Sequence, residues 1–210
     1  MQIQIKWREG GIRTIMKTKT RFLAGLTILP VLVLWSCQTV PVTGRSQLSL
    51  VSDSQVRSMS LEAYDEFLSE NKVITGTRQA RMVKTVGERI SRAVETYFAR
   101  NDLSDRTRFA WEFNLIENDA MNAWAMPGGK VAVYTGIVPV ARDEAGIAVI
   151  MSHEIAHVVA GHGQERMSQG LLTQLGGMAL SAALSQEPQR TRELYMTAYG
   201  VGAQVGVLLP

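Results

Sequence analysis

The sequence predicts an α+β fold, mostly helical, with a small antiparallel sheet. Apolar residues recur at helical spacing in several long segments, two short stretches alternate and are rich in branched and aromatic side chains, and turn residues separate them. The 210 residues suffice for one domain of ordinary size. An apolar content of 46% supplies a sizeable core and argues against global disorder.

From the N-terminus, Lys17, Lys19 and Arg21 precede the apolar run Phe22–Trp35, which leads into Ser36 and Cys37. That order of charge, apolar run and small residue is the pattern of a signal peptide. The run has 14 residues, against the roughly 20 that span a bilayer as a helix. "LWSC" resembles a bacterial lipobox, which makes Cys37 the expected lipidation site and mature N-terminus; plain secretion and an uncleaved anchor are the alternatives. Met16 begins "MKTKTRF", a more typical signal start than Met1, so residues 1–15 read as an upstream start-codon artefact. Cys37 is the one cysteine, which excludes an internal disulfide and a multi-cysteine zinc cluster.

The formal charge of +3 is a leader effect. Residues 1–37 carry six Lys/Arg and one Glu, which leaves 16 Lys/Arg against 18 Asp/Glu and a net charge near −2 for the remainder. A domain so charged lacks the basic stripe of a nucleic-acid binder.

Residues 38–52, "QTVPVTGRSQLSLVS", read as a tether, and residues 53–210 as the folded domain. Ser52 or Asp53 caps a helix running to about Glu70, with Met59, Ala63 and Phe67, and Leu61, Tyr64 and Leu68, at helical spacing. A second helix covers Thr77 to Arg100, where Met82, Val83, Val86, Ile90, Val94 and Phe98 give the strongest amphipathic pattern in the chain. Thr107–Asn118 and Lys130–Gly136 read as strands and antiparallel neighbours, joined by "NAWAMPGG" (Asn122–Gly129) with its Pro-Gly-Gly turn. From Asp143 the pattern is helical again, with Asp143 and Glu144 at the end where the helix dipole favours acids, and with Gly161 and Gly163 loosening or ending it. Two apolar stretches rich in Gly and Ala follow, Leu171–Leu184 and Leu194–Pro210. Both are short for a membrane span, and they read as a packed helical hairpin near the membrane surface.

All three histidines lie in "MSHEIAHVVAGH", Met151–His162. His153 and His157 are four apart, so on a helix both imidazoles share a face and can grip one ion. Glu154 is placed to reach a water on that ion. Zinc lowers the pKa of such a water to about 7, and a carboxylate can take its proton during attack on a carbonyl. Two histidines and a glutamate inside so apolar a helix would be costly without partners.

His162 is a poor candidate for the next ligand. The metzincin pattern HExxHxxGxxH would put a histidine at position 163, which is Gly163. His162 is therefore expected in a capping or supporting role. Catalytic zinc usually has three protein ligands and a water, so one ligand is missing. Glu165 is too near on the turn after the motif, Glu187 lies in a loop and Glu193 at a helix start.

"HEIAHVVAGHGQERMS", with "NAWAMPGGKVAVYTGIV" upstream, resembles metallopeptidase family 48, a group of gluzincins. The cysteine followed by "VPVTGRSQLSLVS" is similar to the family's periplasmic lipoprotein branch, and the resemblance covers roughly Cys37 to Pro210. It implies a zincin-like domain with the sheet beside the HExxH helix. It implies one Zn2+ held by His153 and His157, with Glu154 as general base. It implies a third ligand, the first Glu of an ExEAD-type motif, expected beyond Pro210 in a chain truncated at its C-terminus. It also implies that Asn122, Ala123 and Trp124 bind substrate on an edge strand, where an extended peptide pairs by backbone hydrogen bonds.

The expected function is zinc-dependent endopeptidase action on unfolded or misassembled cell-envelope proteins. The expected location is lipid-anchored at the periplasmic face of the outer membrane, with Gln38 compatible with that sorting. The chain's partners are then extended polypeptides and the membrane. The rival is a non-catalytic, chaperone-like lipoprotein that captures extended chains on the same edge.

Overall fold

The computed structural model describes residues 37–40, 42, 44–103 and 109–204. The leader, the Cys37 side chain and the ligand expected beyond Pro210 lie outside the described residues. The chain divides at Cys37, and the fold below is that of the unit Gln38–Pro210, together with the backbone of Cys37.

Strands β1 (Cys37–Thr39) and β2 (Ser46–Leu48) pair as a two-stranded ribbon. Helix α1 (Asp53–Glu70) begins where Ser52 completes a capping box: its side chain accepts the Gln55 N–H at 3.3 Å, and the Gln55 side chain reaches back to the Ser52 N–H. Its inward face is Val56, Ser60 and Tyr64, flanked by Phe67 and Leu68. Met59 and Ala63, expected on that face, are exposed. Tyr64 decides the rotation: it is fully buried, its hydroxyl donates to the Val131 carbonyl at 3.0 Å, and its ring meets Trp124 edge-on.

The two-residue strand β3 (Val73–Ile74) leads to α2 (Arg78–Arg100), capped by Thr77, whose hydroxyl accepts the Ala80 N–H at 3.1 Å. The expected stripe faces the core: Val83, Val86 and Phe98 are buried, and Met82, Ile90 and Val94 pack on the core as partly buried side chains.

Strands β4 (Glu112–Ile116), β5 (Ala123–Met126) and β6 (Lys130–Tyr134) join β3 in a four-stranded sheet of order β3-β4-β6-β5. The sheet is mixed rather than wholly antiparallel. β3 with β4 and β5 with β6 are antiparallel, but β4 and β6 are parallel, with Glu112 opposite Lys130 and Ile116 opposite Tyr134. The expectation of antiparallel neighbours took Asn122–Gly129 as a connection. Half of it, Ala123–Met126, is itself a strand. Gly128 and Gly129 take φ of +90° and +93°, which turns β5 tightly back into β6. The link from β4 to β6 is then long enough for a parallel return.

Side chains alternate between two cores, as a strand requires. Leu115, Val131, Val133 and Ala123 face α2 and the helix that follows the sheet. Ile116, Ala132, Trp124 and Tyr134 face the Tyr64 side of α1. The sheet is thus a middle layer between helices. After a 3-10 turn (Thr135–Ile137) and the short α3 (Val138–Ala141), α4 (Glu144–Val159) lies along β5 with Ile147, Met151 and Ile155 buried. Asp143 caps α4 by accepting the Gly146 N–H at 3.0 Å, and Glu144 in its first turn pairs with Arg89 of α2.

Helices α5 (His162–Ala183) and α6 (Gln189–Ala203) form the expected hairpin. Tyr199 packs on Gly176 and Gly177 and donates to the Thr173 carbonyl at 2.7 Å. Among the described residues no helix is long and apolar enough to cross a membrane.

The stretch read as a tether is docked over residues 45–51. Arg45 forms a two-point ion pair with Glu165, Leu50 N–H donates to Ser168 Oγ at 3.0 Å, and the Gln164 amide donates to Ser49 Oγ and the Val51 carbonyl at 2.9 and 2.8 Å. Ser49 and the backbone of Leu50 and Val51, in a stretch whose composition suggested a solvated linker, are spent on α5.

Candidate active site

Helix α4 buries every fourth residue from Ile147 to Ile155 against the sheet, so the positions between them turn toward the open side. His153 is exposed, and Glu154 and His157 are half-buried. The Nε2 atoms of His153 and His157 lie 3.1 Å apart and their rings meet edge-on at 4.6 Å. Two nitrogens bound to one tetrahedral zinc at 2.0–2.1 Å stand about 3.3 Å apart, so the spacing of the pair suits a shared ion. Among the described residues no group of three His, Cys, Asp or Glu side chains is gathered to hold a metal.

The acids weighed as further ligands are engaged elsewhere or remote. Glu165 pairs with Arg45, Glu193 accepts from Gln189 at 2.7 Å, and Glu187 is exposed between α5 and α6.

His162 comes back to the pair. Gly161 takes a left-handed φ of +68°, which ends α4 and starts α5 in a new direction. The turn sets His162 Nδ1 2.6 Å from His157 Nδ1. His162 is held below the ordinary histidine pKa, first by burial and then by the charges of His157 and Arg45, against the opposing pull of Glu165.

Glu154, His157 and His162 line a cleft of about 450 Å³. Trp124, Ala125, Pro127 and Gly128 of β5 and its turn form one wall. Asp53 and Arg57 of α1, with Gln164 and Arg166 of α5, also line it. Sequence reasoning did not single out these last four as site residues. Asp53 reads there as a helix cap and Arg57 and Arg166 as outward charged positions, while Gln164 is buried by contacts with the distant Ser49 and Val51.

The predicted substrate residues divide. Strand β5 ends the sheet, and the Tyr134 N–H donates to the Asn122 carbonyl at 3.0 Å. In an antiparallel ladder that pairing turns the backbone groups of Ala123 and Ala125 away from β6, toward the open edge. Ala123 is thus placed to act through its backbone, because its side chain is core. Trp124 reaches the cleft, and its Nε1–H donates to the Tyr134 hydroxyl at 3.2 Å. Asn122 is exposed at the head of the strand.

The profile of Peptidase family M48 matches residues 84–209, more than half of the chain. The chain belongs to peptidase family M48. It is similar to the mitochondrial metalloendopeptidase OMA1 of Schizosaccharomyces pombe, 33% identical over 129 residues, covering 61% of this chain and 36% of that protein. It is similar to the metalloendopeptidase OMA1 of Homo sapiens, 27% identical over 168 residues, covering 78% of this chain and 32% of that one. It is also similar to the beta-barrel assembly-enhancing protease of Escherichia coli, 27% identical over 130 residues, covering 60% and 24%. The chain spans about a quarter to a third of the length of these relatives. The M48 region takes in β4 to β6 and α3 to α6, and with them every residue that lines the cleft except Asp53, Val56 and Arg57 of α1.

Proposed function

We propose that this M48 chain carries the zinc site of an endopeptidase that cuts unfolded or misassembled cell-envelope proteins. The observation that carries the reading is the His153–His157 pair, with Nε2 atoms 3.1 Å apart on the helix that runs along edge strand β5. His153 and His157 hold the zinc, and a third ligand, a glutamate, completes the set. When bound, zinc supplies a Lewis acid for the scissile carbonyl and lowers the pKa of water.

The chain's own residues supply the rest. An extended substrate lies along β5 and pairs with the backbone of Ala123 and Ala125, so recognition depends little on its sequence. Trp124 and Pro127 form an apolar wall for its side chains. Glu154, half-buried in the cleft, takes the proton of the attacking water and returns it to the leaving amine nitrogen. Lipidation at Cys37 holds the enzyme at the periplasmic face of the outer membrane, where such substrates arise.

Hydrolysis of an unfolded, fluorogenically labelled polypeptide by the full-length gene product tests this reading. Zinc-dependent cleavage that Glu154→Gln abolishes supports it. Capture of the polypeptide without cleavage, unchanged in Glu154→Gln, contradicts it and makes the protein a binding module.

A further inference from the structure

The geometry points to His162 as a positioning residue for the metal pair: its Nδ1 accepts a hydrogen bond from His157 Nδ1–H and so leaves the His157 Nε2 lone pair facing His153. The inference rests on the zinc reading of His153 and His157.

His157 is contacted at both ring nitrogens. Nε2 faces His153 Nε2 at 3.1 Å, and Nδ1 faces His162 Nδ1 at 2.6 Å. A neutral imidazole carries one proton, and the nitrogen that binds a cation must be the bare one. For Nε2 to bind, the proton must sit on Nδ1, and there it needs an acceptor. At 2.6 Å the two Nδ1 atoms can share one proton but cannot each carry one. His162 therefore keeps its own proton on Nε2. The same contact argues against His162 as a ligand, because it engages the edge of the His157 ring away from the nitrogen that faces His153.

The placement is a product of the fold. On an uninterrupted α-helix a residue five positions after His157 would lie about 140° around the axis. The left-handed Gly161 ends α4 and brings His162 back. The first turn of α5 is then fixed from outside, by Arg45 on Glu165 and by Gln164 on Ser49 and Val51. Gln47, buried, packs on Gly161 itself. The docked segment before α1 thus sets the imidazole that sets His157.

The test is zinc affinity by chelator competition on the full chain, with X-ray absorption to count nitrogen ligands. His162→Ala is expected to weaken zinc binding by about 10- to 100-fold with the nitrogen count unchanged. His162→Gln, whose amide oxygen can accept the same bond, is expected to recover much of the loss. Equal affinity in wild type and His162→Ala overturns the inference alone, and loss of one nitrogen ligand overturns it by making His162 a ligand. Absence of zinc binding by the wild type overturns the metal reading and this inference with it. If His162→Ala does not fold, long-range 15N–1H NMR of the metal-free wild type decides. A His157 proton on Nδ1 is expected, and one on Nε2 overturns the inference.

Discussion

Leu50 and Ser168, 118 residues apart in sequence, share a hydrogen bond of 3.0 Å in which the fully buried Ser168 hydroxyl accepts the Leu50 N–H. The same hydroxyl donates to the Gln164 carbonyl at 2.9 Å. One side chain thus ties the segment before α1 to the helix that starts at His162. Ser168→Ala leaves the Leu50 N–H without its partner and is expected to cost about 1 kcal/mol. Urea denaturation reads the stability change, and faster hydrogen exchange at the Leu50 amide reads its location.

Gly161→Ala forces a residue with a side chain into φ of +68° and sets its Cβ 2.7 Å from the Gln47 amide nitrogen. Gln47 can swing aside, so the backbone conformation dominates the cost, at about 1–2 kcal/mol. Thermal unfolding measures it. Zinc affinity is expected to fall in the same variant, because the turn that returns His162 to His157 is disturbed.

Burial pushes the Tyr64 phenol up to about 12, against the lowering effect of the Asn114 hydrogen bond and with help from the Glu112 charge. The unfolded phenol titrates near 10. The raised folded value therefore contributes stability that is complete below about pH 10 and is lost as pH rises toward 12, worth about 3 kcal/mol at most. Tyr64→Phe should lose this part of the alkaline dependence, and about 1 kcal/mol at neutral pH with the bond to the Val131 carbonyl. Denaturation of both proteins at pH 9, 10 and 11 makes the comparison.

The elements legible in the sequence are those written in local chemistry. Ser52 with Gln55, Thr77 and Asp143 each mark a helix start through a side chain that meets a backbone N–H three residues on. The α2 stripe reads from spacing alone. What eluded local reading depends on distant partners. β3 is two residues long and exists by pairing Val73 with Ile116 and Ile74 with Leu115. The parallel pairing of β4 and β6 follows from β5 being a strand, and "NAWAMPGG" carries turn and strand signals together. The docking of Arg45 to Val51 is made of polar contacts with α5 that no periodicity records.

The candidate site divides the same way. The spacing of His153 and His157 places both on one face of any helix, so that pair was readable. The return of His162 depends on the φ of Gly161, which sequence offers only as a glycine. Arg57 and Arg166 reach the cleft from helices more than 100 positions apart, and only the fold brings them together.

The central claim is that His153 and His157 hold a catalytic zinc. The most direct measurement is the zinc content and nitrogen-ligand count of the full-length protein, purified without chelator, beside His157→Ala. About one zinc per chain with two histidine ligands, lost in His157→Ala, is the result this account predicts. A metal content that is negligible, or that is the same in both proteins, would contradict it.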